Sequence, residues 1–241
     1  MRKVKNLVKR FFFSCGLEVS KYSPKDSKLA RFIKALSFNN IDIIFDIGAN
    51  EGQYALEVRN AGYKGLIISF EPTSYAHEIL TKRSKGDVNW VVHKRVAIGD
   101  KVGYLEMNIS NNSVSSSLLP MLNNHLEAAP LSQYIATEKV EVETLDNIAK
   151  QYLQPGMNVL IKIDTQGYEQ KVLNGGLEIL GKSKGVQIEL SGEVLYSGSA
   201  LWLELIDQLY SYGFEIWGME AAFINEISGK TLQWDGLFFK T

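Results

Sequence analysis

A chain of 241 residues with 45% hydrophobic and 11% aromatic residues carries enough apolar material for one autonomous α/β unit, and no stretch has a disordered composition. Lys and Arg total 26 against 27 Asp and Glu, which leaves no broad positive field and argues against a nucleic-acid partner. The single cysteine, Cys15, excludes an intramolecular disulfide, and Cys and His do not recur at zinc spacing, so no metal site and a reducing cytoplasm are expected.

At the start, Val4, Leu7, Val8, Phe11 and Phe12 recur at helical spacing while Arg2, Lys3, Lys5, Lys9 and Arg10 fill the other positions. This predicts a basic amphipathic helix. The apolar stretch is too short for a membrane span, and no small-residue cleavage site follows. Residues 1–15 can rest on an anionic membrane surface, but docking onto the protein's own core or onto a partner subunit, such as a second copy in a homodimer, is the preferred reading. A second amphipathic segment, Leu29, Phe32, Ile33 and Leu36, ends at the turn Asn39-Asn40. Residues 1–40 are therefore read as a helical extension and 41–241 as the main domain.

Within 41–241, strands are predicted at 41–47, 65–70, 88–92, 159–164, 186–190, 214–217 and 236–239, from β-branched and aromatic runs. Helices are predicted at 53–60, 74–83 with Pro72 suited to the first helical position, 168–174 before Gly175-Gly176, and 201–212 before Gly213. Near-continuous apolar strands alternating with helices imply a parallel sheet covered on both faces. The turn signal Ser228-Gly229-Lys230 leaves no room for a crossover helix, so the last two strands form a hairpin and an antiparallel edge. The Ser/Asn-rich stretch 110–117 reads as a loop, either a plain connection or a lid. His77, His93 and His125 are scattered and read as surface or internally satisfied histidines.

The strongest local signal is Asp46-Ile47-Gly48-Ala49-Asn50-Glu51-Gly52-Gln53-Tyr54, where a buried strand passes into a helix. Ligands of open α/β sheets bind at such strand ends, beside free helix N–H groups. Asp46 and Glu51 would repel a pyrophosphate, and the spacing is G-x-x-x-G rather than the dinucleotide G-x-G-x-x-G. S-Adenosylmethionine, with a sulfonium and an ammonium, suits these carboxylates, and its own carboxylate suits the helix start. Asp46, Gly48, Ala49, Asn50, Gln53 and Tyr54 are thus candidate cofactor-binding positions. A glycine turn with Asp46 as a helix cap is the bland alternative.

Glu71, followed by Pro72 at the next strand end, lies 23 residues beyond Gly48, near the ~20-residue offset at which an acid reaches a ribose diol. Ala97 within Val96-Ala97-Ile98-Gly99-Asp100 can face an adenine, although Gly99-Asp100 is also a good turn. On the fourth strand, alternation puts Lys162 and Asp164 on one side. A buried lysine needs a partner, which Asp164 or Glu189 can supply. Asp164 is a candidate general base with Lys162 tuning it, an orienter of the acceptor hydroxyl, or the cap of the following helix.

The ordered set FDIGANEGQY, SFEP, VAIGD, SVSSSL, VETLD and IKIDTQGYEQKVLNGG, spanning Phe45 to Gly176 with a looser fit through VQIEL, resembles the FkbM-type methyltransferases. The resemblance implies a seven-stranded class I methyltransferase fold of Rossmann-like type, S-adenosyl-L-methionine as donor, and O-methylation of sugars or natural products. It implies donor-binding positions at Asp46, Gly48, Asn50 and Glu71, and places Asp164 and Glu169 in a family signature. Residues before Ile41 lie outside it.

Three rivals remain. A nucleic-acid methyltransferase would want a basic patch and, for exocyclic amines, an Asp/Asn-Pro-Pro-aromatic loop, which Asp164-Thr165-Gln166-Gly167 is not. A non-catalytic Rossmann-like module would bind a nucleotide or a partner without turnover. An NAD-dependent oxidoreductase is disfavoured by the acidic loop. The leading expectation is an O-methyltransferase acting on a hydroxyl of a sugar, glycan or other small acceptor.

Overall fold

In the computed structural model, which describes residues 2–240, the sheet grows from one strand whose five residues are all buried, β1 (Ile43–Ile47). A buried strand must be covered on both faces, and its alternate side chains separate two cores. Ile43, Phe45 and Ile47 point into one, and Ile44 into the other. The chain before it contributes α1 (Arg2–Ser14) and α2 (Lys28–Phe38), the latter capped by Ser27, whose hydroxyl accepts from the Ala30 N–H.

After β1 come α3 (Gln53–Asn60), β2 (Leu66–Phe70), α4 (Ser74–Arg83) and β3 (Trp90–Val92). Pro72 does not open α4: Thr73 is the residue that precedes the helix, one position after the proline. Next stand β4 (Ala97–Ile98), β5 (Gly103–Ser110), α5 (Asn123–Ala128), β6 (Tyr134–Glu143) and α6 (Leu145–Ala149). The remainder is β7 (Val159–Ile163), α7 (Glu169–Asn174), α8 (Leu177–Lys182), β8 (Gly185–Ser191), α9 (Trp202–Ser211), β9 (Phe214–Ile224) and β10 (Thr231–Lys240).

Seven strands form the main sheet in the order β3-β2-β1-β7-β8-β10-β9, parallel from β3 to β8 with β10 antiparallel to both neighbours. The strand order reverses between β1 and β7, which opens a crevice at their carboxyl ends. Helices α2, α3 and α4 cover the Ile44 face through Leu36, Ala55 and Leu80; α6 to α9 cover the Phe45 face through Ile148, Val172, Leu180 and Leu209. The hairpin β9–β10 closes where the Asn225 side chain accepts from the Ile227 and Ser228 N–H groups.

One part of the fold differs from the sequence reading. β4, β6 and β5 make a separate three-stranded sheet whose inner face is Ala97, Met107, Val140 and Val142. Much of β5 and β6 is exposed, so a long alternating apolar pattern is missing and the segment reads as connection. The 110–117 stretch is tied at its end: Asn108 and Ser117 exchange backbone hydrogen bonds, and the Ser117 hydroxyl donates to the Gln166 carbonyl at 2.7 Å. α1 does not dock on the chain's own core, since Leu7, Phe11 and Phe13 are exposed. α2 does pack there, through Ala35 and Leu36.

Candidate functional site

Beyond their last paired residues β1 and β7 stay joined, the Asp164 N–H donating to the Ile47 carbonyl at 3.1 Å. The chain must then turn away, and Gly48 does so at φ 77°. A Cβ at this position would stand 1.8 Å from the Asp164 carbonyl oxygen, so only glycine fits. Asn50 also has positive φ, 48°, which asparagine tolerates better than most residues. Gly52 precedes α3 without any side-chain cap, so the first-turn N–H groups of α3 are left for another acceptor.

Glu71, at the end of β2, faces this loop. One carboxylate oxygen accepts from the Asn50 N–H at 2.9 Å, and the other accepts from the Thr73 N–H at 2.9 Å and hydroxyl at 2.6 Å. Burial pushes its carboxyl above the usual range, against the pull of these donors. The carboxylate is thereby fixed in direction and retains acceptor capacity toward the cleft.

A second group of charges lies on the Ile44 face. Asp46, Ser69 and Lys162 occupy one row across β1, β2 and β7. The Lys162 ammonium stands 3.2 Å from Asp46, 3.6 Å from Asp164, and donates to the Gly48 carbonyl at 3.2 Å. The Ser69 hydroxyl donates to Asp46 at 3.1 Å and accepts from the Trp90 indole. Burial alone would lower the lysine, but Asp46 and Asp164 outweigh it and hold Lys162 raised and charged. The nearest partner of Lys162 is thus Asp46, which the sequence reading did not name as its partner.

Asp164 does not cap the helix that follows, since α7 starts at Glu169 after Tyr168. Its side chain is 38% exposed and accepts from the Gln166 amide at 2.9 Å. Gln166, at φ 55°, also donates to Glu189 at 3.1 Å and accepts from the Tyr196 hydroxyl at 2.8 Å. Glu169 turns inward, where one of its oxygens accepts from the Thr165 and Gly167 N–H groups. Burial first, and then Asp164 and Glu169, push the Glu189 carboxyl far up. Asp164 is therefore the solvent-facing carboxylate of this group.

These elements enclose a cleft of about 440 Å³. Gly48, Ala49, Asn50, Gln53, Tyr54, Glu71, Pro72, Ala97, Lys162 and Asp164 all line it. Asp46 does not: it is fully buried beneath the loop. Ser113 and Ser115 from the 110–117 stretch also line it, as do Gln166, His125 and Phe223, to which the sequence assigns no role in the site. Gln166 had a local signal, being at the end of a buried strand. His125 and Phe223 had none, because each arrives from a distant element. His125 is half satisfied: its Nε2 lies 3.2 Å from the Ser132 hydroxyl, its Nδ1 has no hydrogen-bond partner, and burial lowers its pKa to about 4.

The methyltransferase FkbM domain family matches residues 46–216. The 2-O-methyltransferase NoeI of Sinorhizobium fredii (strain NBRC 101917 / NGR234) is 27% identical over 191 residues, covering 77% of this chain and 78% of that protein. The crystal structure of the methyltransferase domain of bacterial CtHen1-C superposes with a TM-score of 0.50 at 9% identity, over 88% of this chain and 96% of that one. Magnesium protoporphyrin IX methyltransferase (ChlM) from Synechocystis PCC 6803, solved with bound SAM, gives 0.47 at 7% identity over 88% and 78%. With the family match spanning well over half of its length, the chain belongs to the methyltransferase FkbM family and is an S-adenosyl-L-methionine-dependent methyltransferase.

Proposed function

We propose that the protein is an O-methyltransferase for a hydroxyl of a sugar, glycan or other small natural-product acceptor. The observation that carries this reading is Asp164, a half-exposed carboxylate oriented by Lys162 and Gln166 at the mouth of the cleft. The 2-O-methyltransferase NoeI, similar over 77% of the chain, supports it. The near-zero net charge and the Asp164-Thr165-Gln166-Gly167 loop speak against a nucleic-acid acceptor.

The cleft has the complement of the donor's parts. Glu71 accepts from a ribose diol, Ala97 with Val96 and Ile98 gives an adenine an apolar face, and the uncapped start of α3 with Asn50 receives a carboxylate. Gln53 and Tyr54 border the same end, and Asp46 acts from below by holding Lys162 under the Gly48 carbonyl. S-Adenosyl-L-methionine supplies an electrophilic methyl group on a sulfonium. Asp164 orients the acceptor hydroxyl and takes its proton as the methyl group passes from sulfur to oxygen, with the Lys162 ammonium 3.6 Å away holding the carboxylate in place, a contribution of the order of 10²–10⁴-fold. Most of the remaining rate comes from positioning and exclusion of water.

Residues 1–40 are a helical extension of a 41–241 domain acting in the cytoplasm. Among the described residues no helix is long and apolar enough to cross a membrane. The exposed Leu7, Phe11 and Phe13 of the basic helix α1 support a peripheral contact, with an anionic membrane surface or a second copy of the chain. Liposome flotation at low salt, set against sedimentation, separates the two. Labelled-methyl transfer to a glycan panel tests the main reading; label appearing in RNA or protein alone would overturn it.

A further inference from the structure

A second cavity, of about 480 Å³, adjoins the donor cleft between α2, α3 and the strand row β7-β8-β10-β9. Gln53, Tyr54, Lys162 and Asp164 line both spaces, whereas Glu71 lines only the cleft. A molecule seated in the second cavity therefore reaches Asp164 without displacing anything at Glu71.

We infer that this second cavity is the acceptor pocket and that it takes a pyranose ring. The inference rests on the sugar O-methyltransferase reading. The walls are apolar and aromatic on one side, with Phe32 of α2 against Tyr54 of α3, and Phe38 of α2 against Trp217 of β9 with ring centres 5.7 Å apart. Polar acceptors border them, Gln187 and Asp235 on the sheet and Glu220 at the rim. A pyranose has this duality, a C–H face for an aromatic surface and hydroxyls for carboxylate and amide oxygens. Four cationic and four anionic side chains line the space, so it carries no net charge and suits a neutral acceptor better than a phosphate-rich one.

The position of these residues along the chain supports the same division of labour. The four shared residues and Gln187 fall within 46–216, the part that matches the family. Most of the remaining wall comes from α2 and from residues 217–237, outside it, with Glu57 and Val58 of α3 inside it, and the Arg31–Glu220 ion pair at 2.6 Å ties α2 to β9. The residues shared with the cleft thus lie inside the family match, and most of the walls that would choose the acceptor lie outside it.

The test is saturation-transfer difference NMR on the full chain loaded with S-adenosylhomocysteine. The probes are methyl α-D-glucopyranoside, methyl α-L-rhamnopyranoside and methyl α-L-fucopyranoside, with catechol as a non-sugar diol. At least one glycoside should take up saturation. Phe38→Ala, a change at a residue 68% exposed that does not threaten the fold, and Trp217→Ala should each weaken it by about 3- to 10-fold. Calorimetric affinity for S-adenosylhomocysteine should stay within about twofold in both, because neither residue borders the donor cleft. Glycoside binding that ignores both changes but is lost in Phe223→Ala overturns the pocket assignment and leaves the sugar reading standing. Binding of catechol with no glycoside bound overturns the sugar reading itself, and the pyranose assignment with it.

Discussion

The ammonium of Lys162 lies 3.2 Å from the carboxylate of Asp46, on strands paired in register, with the aspartate fully buried. Removing the lysine leaves the buried aspartate with the Ser69 hydroxyl as its neutral donor and no counter-charge in contact. Lys162→Met should cost about 3–5 kcal/mol, read as a fall in melting temperature of roughly 10 °C. Combining it with Asp46→Asn should restore part of the loss. A single variant that melts with the parent would show that the pair is idle.

Asp164→Asn keeps the shape and the Gln166 contact but cannot take a proton. Calorimetric affinity for S-adenosylhomocysteine should stay within about twofold, while turnover falls by roughly 10²–10⁴-fold. Full turnover in the variant would reduce Asp164 to a positioning role.

Glu71 offers the reverse separation. Both Glu71 oxygens accept from backbone N–H groups, so Glu71→Gln sets an amide NH2 against one of those donors and should cost about 1–3 kcal/mol of stability, while a charge-assisted bond of about 1.5–3 kcal/mol to the donor is weakened. Affinity for S-adenosylhomocysteine should drop by about 10- to 100-fold. Donor affinity that does not move would detach Glu71 from the ribose.

At Gly48 an added methyl collides with the Asp164 carbonyl in a left-handed backbone. Gly48→Ala should lose about 1–2 kcal/mol to backbone strain. Overpacking adds roughly 1–3 kcal/mol more. Because the clash is with the strand end that carries the candidate base, turnover should fall further than stability does. Equal thermal midpoints of variant and parent would refute this.

Burial and Asp164 push the Asp235 carboxyl from the ordinary 3.8 up to about 6. The folded state therefore holds this proton more tightly than the unfolded chain, and stability falls as pH rises from about 4 through about 6. Asp235→Asn removes that penalty. It should be more stable than the parent by about 2–3 kcal/mol at pH 8 and indistinguishable from it below pH ~4. Denaturant titrations at the two pH values decide the matter.

Local sequence chemistry determined the parallel sheet, the glycine turn after Asp46, the acid at the end of β2 and the placement of Lys162 and Asp164 on one side of β7, because period-two alternation and turn residues act over a few neighbours. The tertiary structure alone decided that Asp46 sits below the cleft as the lysine's counter-ion rather than in its wall. It alone built the small sheet from half-exposed strands, set Gln166 between two carboxylates, and brought α2 against β9 to enclose a second cavity. Apart from the Gln166–Asp164 bond, each of these depends on side chains that meet across many intervening residues, and a segment's own pattern does not say which distant segment it will meet.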